Sequence, residues 1–356
     1  MRVLYRADGS PDIGTGHIVR GLILRRRLEA AGLQVTFLTR DFPWGVERLR
    51  KAGCDVIVIP RDASEMRECD ALREAGGIGS ARVCVMDALE TSEAQTRAVV
   101  EHGSRLVCLD DVGPGRLHAN AIINVLEVEP EPDALAERGI ALYEGPDYVP
   151  LVEEYEQPGI AEREIPEKVR RILITLGGAD PAGLAPKAAR AVKRAFESRK
   201  AETAFESPSA VLLIGAASPS RDRVLGAIKG AEDLFTIADS LPSLLPALRE
   251  ADLGIIAGGL TMHEALAVGL PAIALCQPVR HQAELARRFA DRGAMLTLGA
   301  ASDVPEERIA QAVLSLARDF DLRRRLAAAG PRLVDGCGAE RTAGVICDVG
   351  RGRPRT

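Results

Sequence analysis

Short apolar runs recur along the chain, with longer stretches of helical periodicity between them. Arg2–Ala7, Gln34–Thr39, Asp55–Pro60, Arg82–Asp87, Arg105–Asp110 and Ala121–Asn124 read as strands. Beyond a break, so do Arg171–Leu176, Ala210–Gly215, Leu234–Ala238, Leu253–Ala257 and Ala272–Cys276. The intervening Ile18–Ala31, Glu93–Glu101, Gly183–Glu197, Leu241–Glu250 and Ala283–Arg292 carry the spacing of helices with one covered face. Most of the strands are apolar throughout rather than alternating, as parallel strands covered on both faces are. The pattern predicts an α/β protein of doubly wound parallel sheets.

The break is Pro146–Lys168, where Pro146, Pro150, Pro158 and Pro166 stand among glutamates with weak periodicity. It reads as a linker between two α/β domains, residues 1–157 and 168–348, with 349–356 as a short basic tail. Each domain opens with strand, glycine turn and helix. In the second the turn is Gly177-Gly178, with Asp180 as N-cap and Pro181 as first helical residue. Two such domains facing each other place the carboxyl ends of both sheets at a shared cleft, where doubly wound folds bind ligands.

Composition narrows the partners. A net charge of −5 over 356 residues gives no electrostatic footprint for nucleic acid. The longest apolar stretch, Leu253–Cys276, has His263 and Glu264 at its middle and does not read as a membrane span. Arg2 and Arg6 interrupt the first apolar run, so no signal peptide is read there. Seven cysteines lie singly with no C-x-x-C pair, which predicts a reducing, cytoplasmic setting and no zinc site.

The chemistry gathers at glycine turns. Gly14-Thr15-Gly16-His17 joins the first strand to the first helix, where free backbone N–H groups favour an anion. It is not a dinucleotide fingerprint, because Val19 stands where the third glycine belongs, and the chain has no P-loop. The positive end of the helix disfavours protonation of His17, leaving an imidazole that either accepts a proton or merely caps the helix. Gly258-Gly259-Leu260-Thr261 repeats the design after the strand Leu253–Ala257, and Glu264 one turn later suits the vicinal hydroxyls of a ribose. Thr261 and Glu264 equally read as half of a capping box. His263-Glu264 does not continue to H-E-x-x-H, since position 267 is alanine. Gln282, past the strand Ala272–Cys276, is a candidate sugar contact or part of a solvated loop. Asp110-Asp111 either faces the cleft or simply ends its strand. Asp319-Phe320-Asp321 has the D-x-D form of some sugar transferases, although Asp321 is more simply the N-cap of Leu322–Ala329.

Taken in order, several motifs resemble one family. They are Arg6-Ala7-Asp8-Gly9-Ser10 with Ile13-Gly14-Thr15-Gly16-His17-Ile18-Val19-Arg20, then Leu109-Asp110-Asp111, then Gly145-Pro146-Asp147-Tyr148-Val149-Pro150-Leu151. Thr175-Leu176-Gly177-Gly178-Ala179-Asp180-Pro181, Gly258-Gly259-Leu260-Thr261-Met262-His263-Glu264-Ala265 and Gly269-Leu270-Pro271 follow. They are similar to those of the pseudaminic acid biosynthesis hydrolases. These act on UDP-2,4-diacetamido-2,4,6-trideoxy-β-L-altropyranose and belong with the spore-coat polysaccharide proteins of the SpsG type. The resemblance covers roughly residues 1 to 285 and extends to GT-B glycosyltransferases, above all the one that forms lipid II.

The resemblance implies a GT-B fold of two Rossmann-like domains, the C-terminal one binding UDP. It implies His17 as the catalytic histidine, Glu264 on the ribose, and Gly258, Gly259 and Thr261 near the diphosphate. Gly14, Gly16, Arg20, Gly177, Gly178 and Gln282 are further substrate contacts on the same grounds. The chain departs from the family at three places: Val19-Arg20-Gly21 replaces its Met-Arg-Cys, Arg280-His281 replaces Asp-Asn before Gln282, and Leu260 stands where serine is common. The expected function is metal-independent, cofactor-free hydrolysis of a UDP-linked acetamido deoxy sugar with inversion, in nonulosonic acid or surface polysaccharide biosynthesis. Other enzymes of the same sugar pathway are its candidate partners. The alternatives are a GT-B glycosyltransferase using an acceptor hydroxyl, with Arg25-Arg26-Arg27 as an acceptor surface or just a solvated face, and a nucleotide-sugar binding protein without turnover.

Overall fold

A computed structural model describes residues 1–356 except 11–13, 78–80, 128–131, 179, 181, 216–219, 240, 242 and 354–356. The chain forms two compact units, residues 1–152 with 337–356, and residues 153–336.

In the first unit, β1 (Arg2–Ala7), β2 (Gln34–Arg40), β3 (Asp55–Ile59), β4 (Ala81–Asp87), β5 (Arg105–Leu109), β6 (Ala121–Asn124) and β7 (Ala141–Glu144) make one parallel sheet. Its order is β3-β2-β1-β4-β5-β6-β7. The second unit holds β8 (Val169–Thr175), β9 (Phe205–Leu213), β10 (Phe235–Ala238), β11 (Leu253–Ile256), β12 (Ala272–Cys276) and β13 (Leu296–Ala300), in the order β10-β9-β8-β11-β12-β13 and again parallel. Core strands such as β12, buried along its whole length, hold each sheet between helices. The strand order reverses beside β1 in one unit and beside β8 in the other. A doubly wound sheet opens a crevice at the carboxyl ends of its strands at such a switch point. The three glycine turns singled out above, after β1, β8 and β11, emerge there.

Two boundaries differ from expectation. The stretch read as a linker divides at Val152/Glu153, and its latter part is anchored in the second unit. There Arg163 donates to the carbonyls of Leu248, Ala251 and Val268. The last helix, Gly338–Gly350, was expected with the second domain and its end with a tail. It packs instead on the first unit, where Gly338 fits against Val149 and Gly350 against Met1.

Candidate functional site

The turn after β1 is built by close contacts. A Cβ on Gly9 would lie 2.5 Å from Ile18, so the chain turns tightly over the first helix, Gly16–Ala30. The Ser10 N–H donates to the Gly14 carbonyl at 3.0 Å, and Gly14 takes a φ of +94°. Gly16 faces open space. The helix has no side-chain cap and no acidic residue in its first turn, so its amino end keeps unsatisfied N–H groups and a partial positive charge.

His17 is the second residue of this helix and does not cap it. Its Nδ1 lies 2.5 Å from Oδ1 of Asp87, the last residue of β4. Asp87 is fully buried and also accepts from the Tyr5 hydroxyl at 2.6 Å and from Arg20 Nε at 3.0 Å. Burial alone would push this carboxyl up; the Arg20 guanidinium and His17 outweigh it and hold it well below the usual carboxylate range. An ionised carboxylate only accepts, so the His17 proton sits on Nδ1 and the Nε2 lone pair points away from Asp87.

Arg20, one turn beyond His17, also pairs with Asp110, and all three nitrogens of its buried guanidinium serve Asp87 and Asp110. It thus stands behind the histidine as a counter-charge rather than reaching out as the expected substrate contact. Asp110 is held in turn: its backbone takes a φ of +54° and its Oδ1 accepts from the Leu126 N–H at 2.9 Å. The neighbouring Asp111 accepts from the N–H groups of Thr91 and Gly113 and secures a turn.

The two glycine turns of the second unit are not equivalent. After β8, Gly177 takes a φ of +91° and Gly178 is exposed, and the helix begins at Leu184, later than expected. Asp180 is not at the N-cap position, which Gly183 fills, yet its carboxylate accepts from Leu184 N–H at 2.7 Å and Ala185 N–H at 3.0 Å. Gln277 locks the arrangement, donating to Asp180 and to the Leu176 carbonyl. The chain's own carboxylate therefore fills the anion position at this helix end. Pro181, expected as its first residue, lies outside the described residues, as do Ile13 and Ala179 of the motifs.

After β11 the amino end is open. The helix Leu260–Ala267 has Gly259 as N-cap and no side-chain cap, so the capping box read from Thr261 and Glu264 does not form. Thr261 is half-buried in the first turn. Gly258 is required by packing, because a Cβ there would lie 2.8 Å from both Cys276 Sγ and Gln282 Cβ. Gln282 is thereby brought to the turn, with a buried Oε1 that has no hydrogen-bond partner among the described residues. Glu264 accepts from the Tyr155 hydroxyl at 3.1 Å, and burial raises its carboxyl to about 7.

The D-x-D candidate resolves into helix capping: Asp319 caps the helix Phe320–Leu333 by accepting from Leu322 N–H at 2.8 Å, whereas Asp321 lies inside it. Arg25, of the basic triplet, is bound to Glu29 and to the carbonyls of Ala52 and Gly53. Among the described residues no three His, Cys, Asp or Glu side chains cluster as metal ligands, and no helix is long and apolar enough to cross a membrane. Sequence reasoning missed Asp87 and Tyr155. The first had a signal, a lone carboxylate closing the apolar strand Arg82–Asp87; Tyr155 had none.

No protein-family model matches the sequence. The chain is 27% identical over 351 residues to the spore coat polysaccharide biosynthesis protein SpsG of Bacillus subtilis, covering 98% of each. Among solved structures it is similar to Acinetobacter baumannii MurG, with a TM-score of 0.70 at 17% identity over 98% of this chain and 99% of that one. It is also similar to a putative UDP-N-acetylglucosamine 2-epimerase from Listeria monocytogenes, with a TM-score of 0.67 at 16% identity over 100% and 98%. The fold is GT-B.

Proposed function

We propose that the chain processes a UDP-linked sugar, and that it hydrolyses a UDP-linked acetamido deoxy sugar with inversion, as an enzyme of nonulosonic acid or surface polysaccharide biosynthesis. The observation that carries this reading is the His17–Asp87 pair at an uncapped helix end. The relative named for spore coat polysaccharide biosynthesis and the neighbour named for a UDP-sugar support it.

In the second unit, the open amino end at Gly258, Gly259 and Thr261 suits a diphosphate, and Glu264 suits ribose hydroxyls. In the first unit, His17 Nε2 takes a proton from water as the water oxygen bonds to the anomeric carbon. The bond from that carbon to the diphosphate oxygen breaks, and the electron pair leaves with UDP. Attack opposite the leaving group inverts the centre. Asp87 stabilises the imidazolium as it forms, and helix N–H groups stabilise the departing diphosphate.

A glycosyltransferase would use the same base on an acceptor hydroxyl, and the likeness to solved structures named as glycosyltransferases favours that second reading. Water is preferred because Arg25, the start of the one basic patch read as an acceptor surface, is bound to its own unit. The test is UDP release from a panel of UDP-acetamido sugars, followed by NMR without acceptor. Release of UDP and inverted free sugar supports hydrolysis; turnover that appears only with an acceptor overturns it. His17→Gln should lose roughly 10²–10⁴-fold in rate while still binding UDP. Near-native turnover would remove His17 as the base.

A further inference from the structure

Among the described residues Glu264 has one side-chain partner, and that partner comes from a distant part of the chain. Tyr155 lies in the turn Glu153–Glu156 at the entry to the second unit, and its phenol is fully buried. Its O–H reaches Oε1 of Glu264, and no contact to Oε2 is found among the described residues. The Tyr155 backbone is wedged as well. A Cβ on Gly336, whose φ is +84°, would lie 2.3 Å from the Tyr155 carbonyl oxygen, so the entry and exit segments of the unit are packed together. The phenol is therefore fixed at both ends, whereas a carboxylate on a helix has free rotamers of its own.

We propose that Tyr155 is the positioning residue of the nucleotide site, holding one oxygen of Glu264 so that the other is presented to the vicinal hydroxyls of a ribose. This rests on the reading of Glu264 as the ribose acceptor.

The surroundings leave this role to Tyr155. The helix Leu260–Ala267 packs on apolar β11, on the helix Phe320–Leu333 through Gly330, and on the helix Leu245–Glu250. Arg249 of that last helix acts on Arg163, and Glu250 pairs with Arg171. His263 stacks edge-on against Phe289 of the helix Arg280–Asp291. Glu154 acts on Tyr155 and accepts from Ser243. Among the described residues, Tyr155 is the one group that opposes the effect of burial on the Glu264 carboxyl. Ribose hydroxyls donate, so binding requires the ionised carboxylate, and affinity rises with pH through about 7. Removing the phenol donor pushes the carboxyl further up and moves that rise to higher pH.

The experiment is calorimetric titration with UDP across this pH range for the native chain, Tyr155→Phe and Glu264→Gln. Titration of the ligand's own phosphate is common to all three and cancels in the comparison. Tyr155→Phe should bind about three- to tenfold more weakly near neutrality, the worth of one hydrogen bond, with its midpoint displaced upward. Glu264→Gln should bind weakly with that pH step gone. A Tyr155→Phe profile superimposed on the native one, with Glu264→Gln impaired, overturns the role of Tyr155 and leaves the ribose reading standing. Native binding by Glu264→Gln overturns both. Should Tyr155→Phe fail to fold, the native chain labelled with [ζ-¹³C]tyrosine decides. One of its four tyrosine signals must move with UDP and titrate with Glu264, and four unresponsive signals refute the proposal.

Discussion

At the scale of single residues, the site in the first unit is a chain of alternating charges: His17, Asp87, Arg20, Asp110. Each buried group is tolerable only because the next is there, since removing one partner from a buried pair costs about 3–5 kcal/mol. Asp87→Asn keeps the volume but gives His17 Nδ1 an amide that can also donate, so the tautomer with a free Nε2 is no longer enforced. We expect kcat to fall by about 10²-fold or more with UDP affinity unchanged; steady-state kinetics beside calorimetry checks this, and an unchanged kcat contradicts it. The histidine and Glu264 were legible because they follow glycine turns. Asp87 was not, because nothing in the sequence says which strand will lie beside β1; that is decided by the sheet order. The partners of Arg20 were illegible for the same reason, since they are brought to it from β4 and the end of β5.

At the scale of elements, periodicity located the central strands and one edge of each sheet, β3 and β10, and left the opposite edges unread. β7 and β13 were missed: each is half-buried along most of its length, so neither has the continuous apolar run by which the others were recognised. β9 starts earlier than expected, through Glu206, Ser207 with a φ of +44° and Pro208, residues that the register shift between Val169 and Arg171 accommodates. Helix starts were misplaced where a cap acts from outside the N-cap position. Asp180 serves the helix Leu184–Phe196 in this way, so Asp180→Ala should lower stability by about 1 kcal/mol or somewhat more, because it also strands the buried Gln277. Urea denaturation measures it, and an unchanged midpoint would show that the carboxylate does not support the helix.

At the scale of the whole molecule, the first unit is discontinuous in sequence. The helix Gly338–Gly350 lies on it, burying Ala339, Ala343, Ile346 and Val349. Deleting residues 337–356 should therefore expose core positions of the N-terminal sheet layer while sparing the unit 153–336. Hydrogen exchange should report loss of protection in β4 and β5, the strands this helix covers, with β8 and β11 unchanged. Equal protection in all four would show the helix to be dispensable. The same connectivity bears on biosynthesis. A ribosome delivers residues 153–336 as one uninterrupted segment, which can close its sheet as soon as it emerges. The unit begun before it must wait, with β4 and β5 uncovered on one side, until a helix made after all of residues 153–336 reaches it. Of the two units, the one that carries His17 is begun before the other and completed after it.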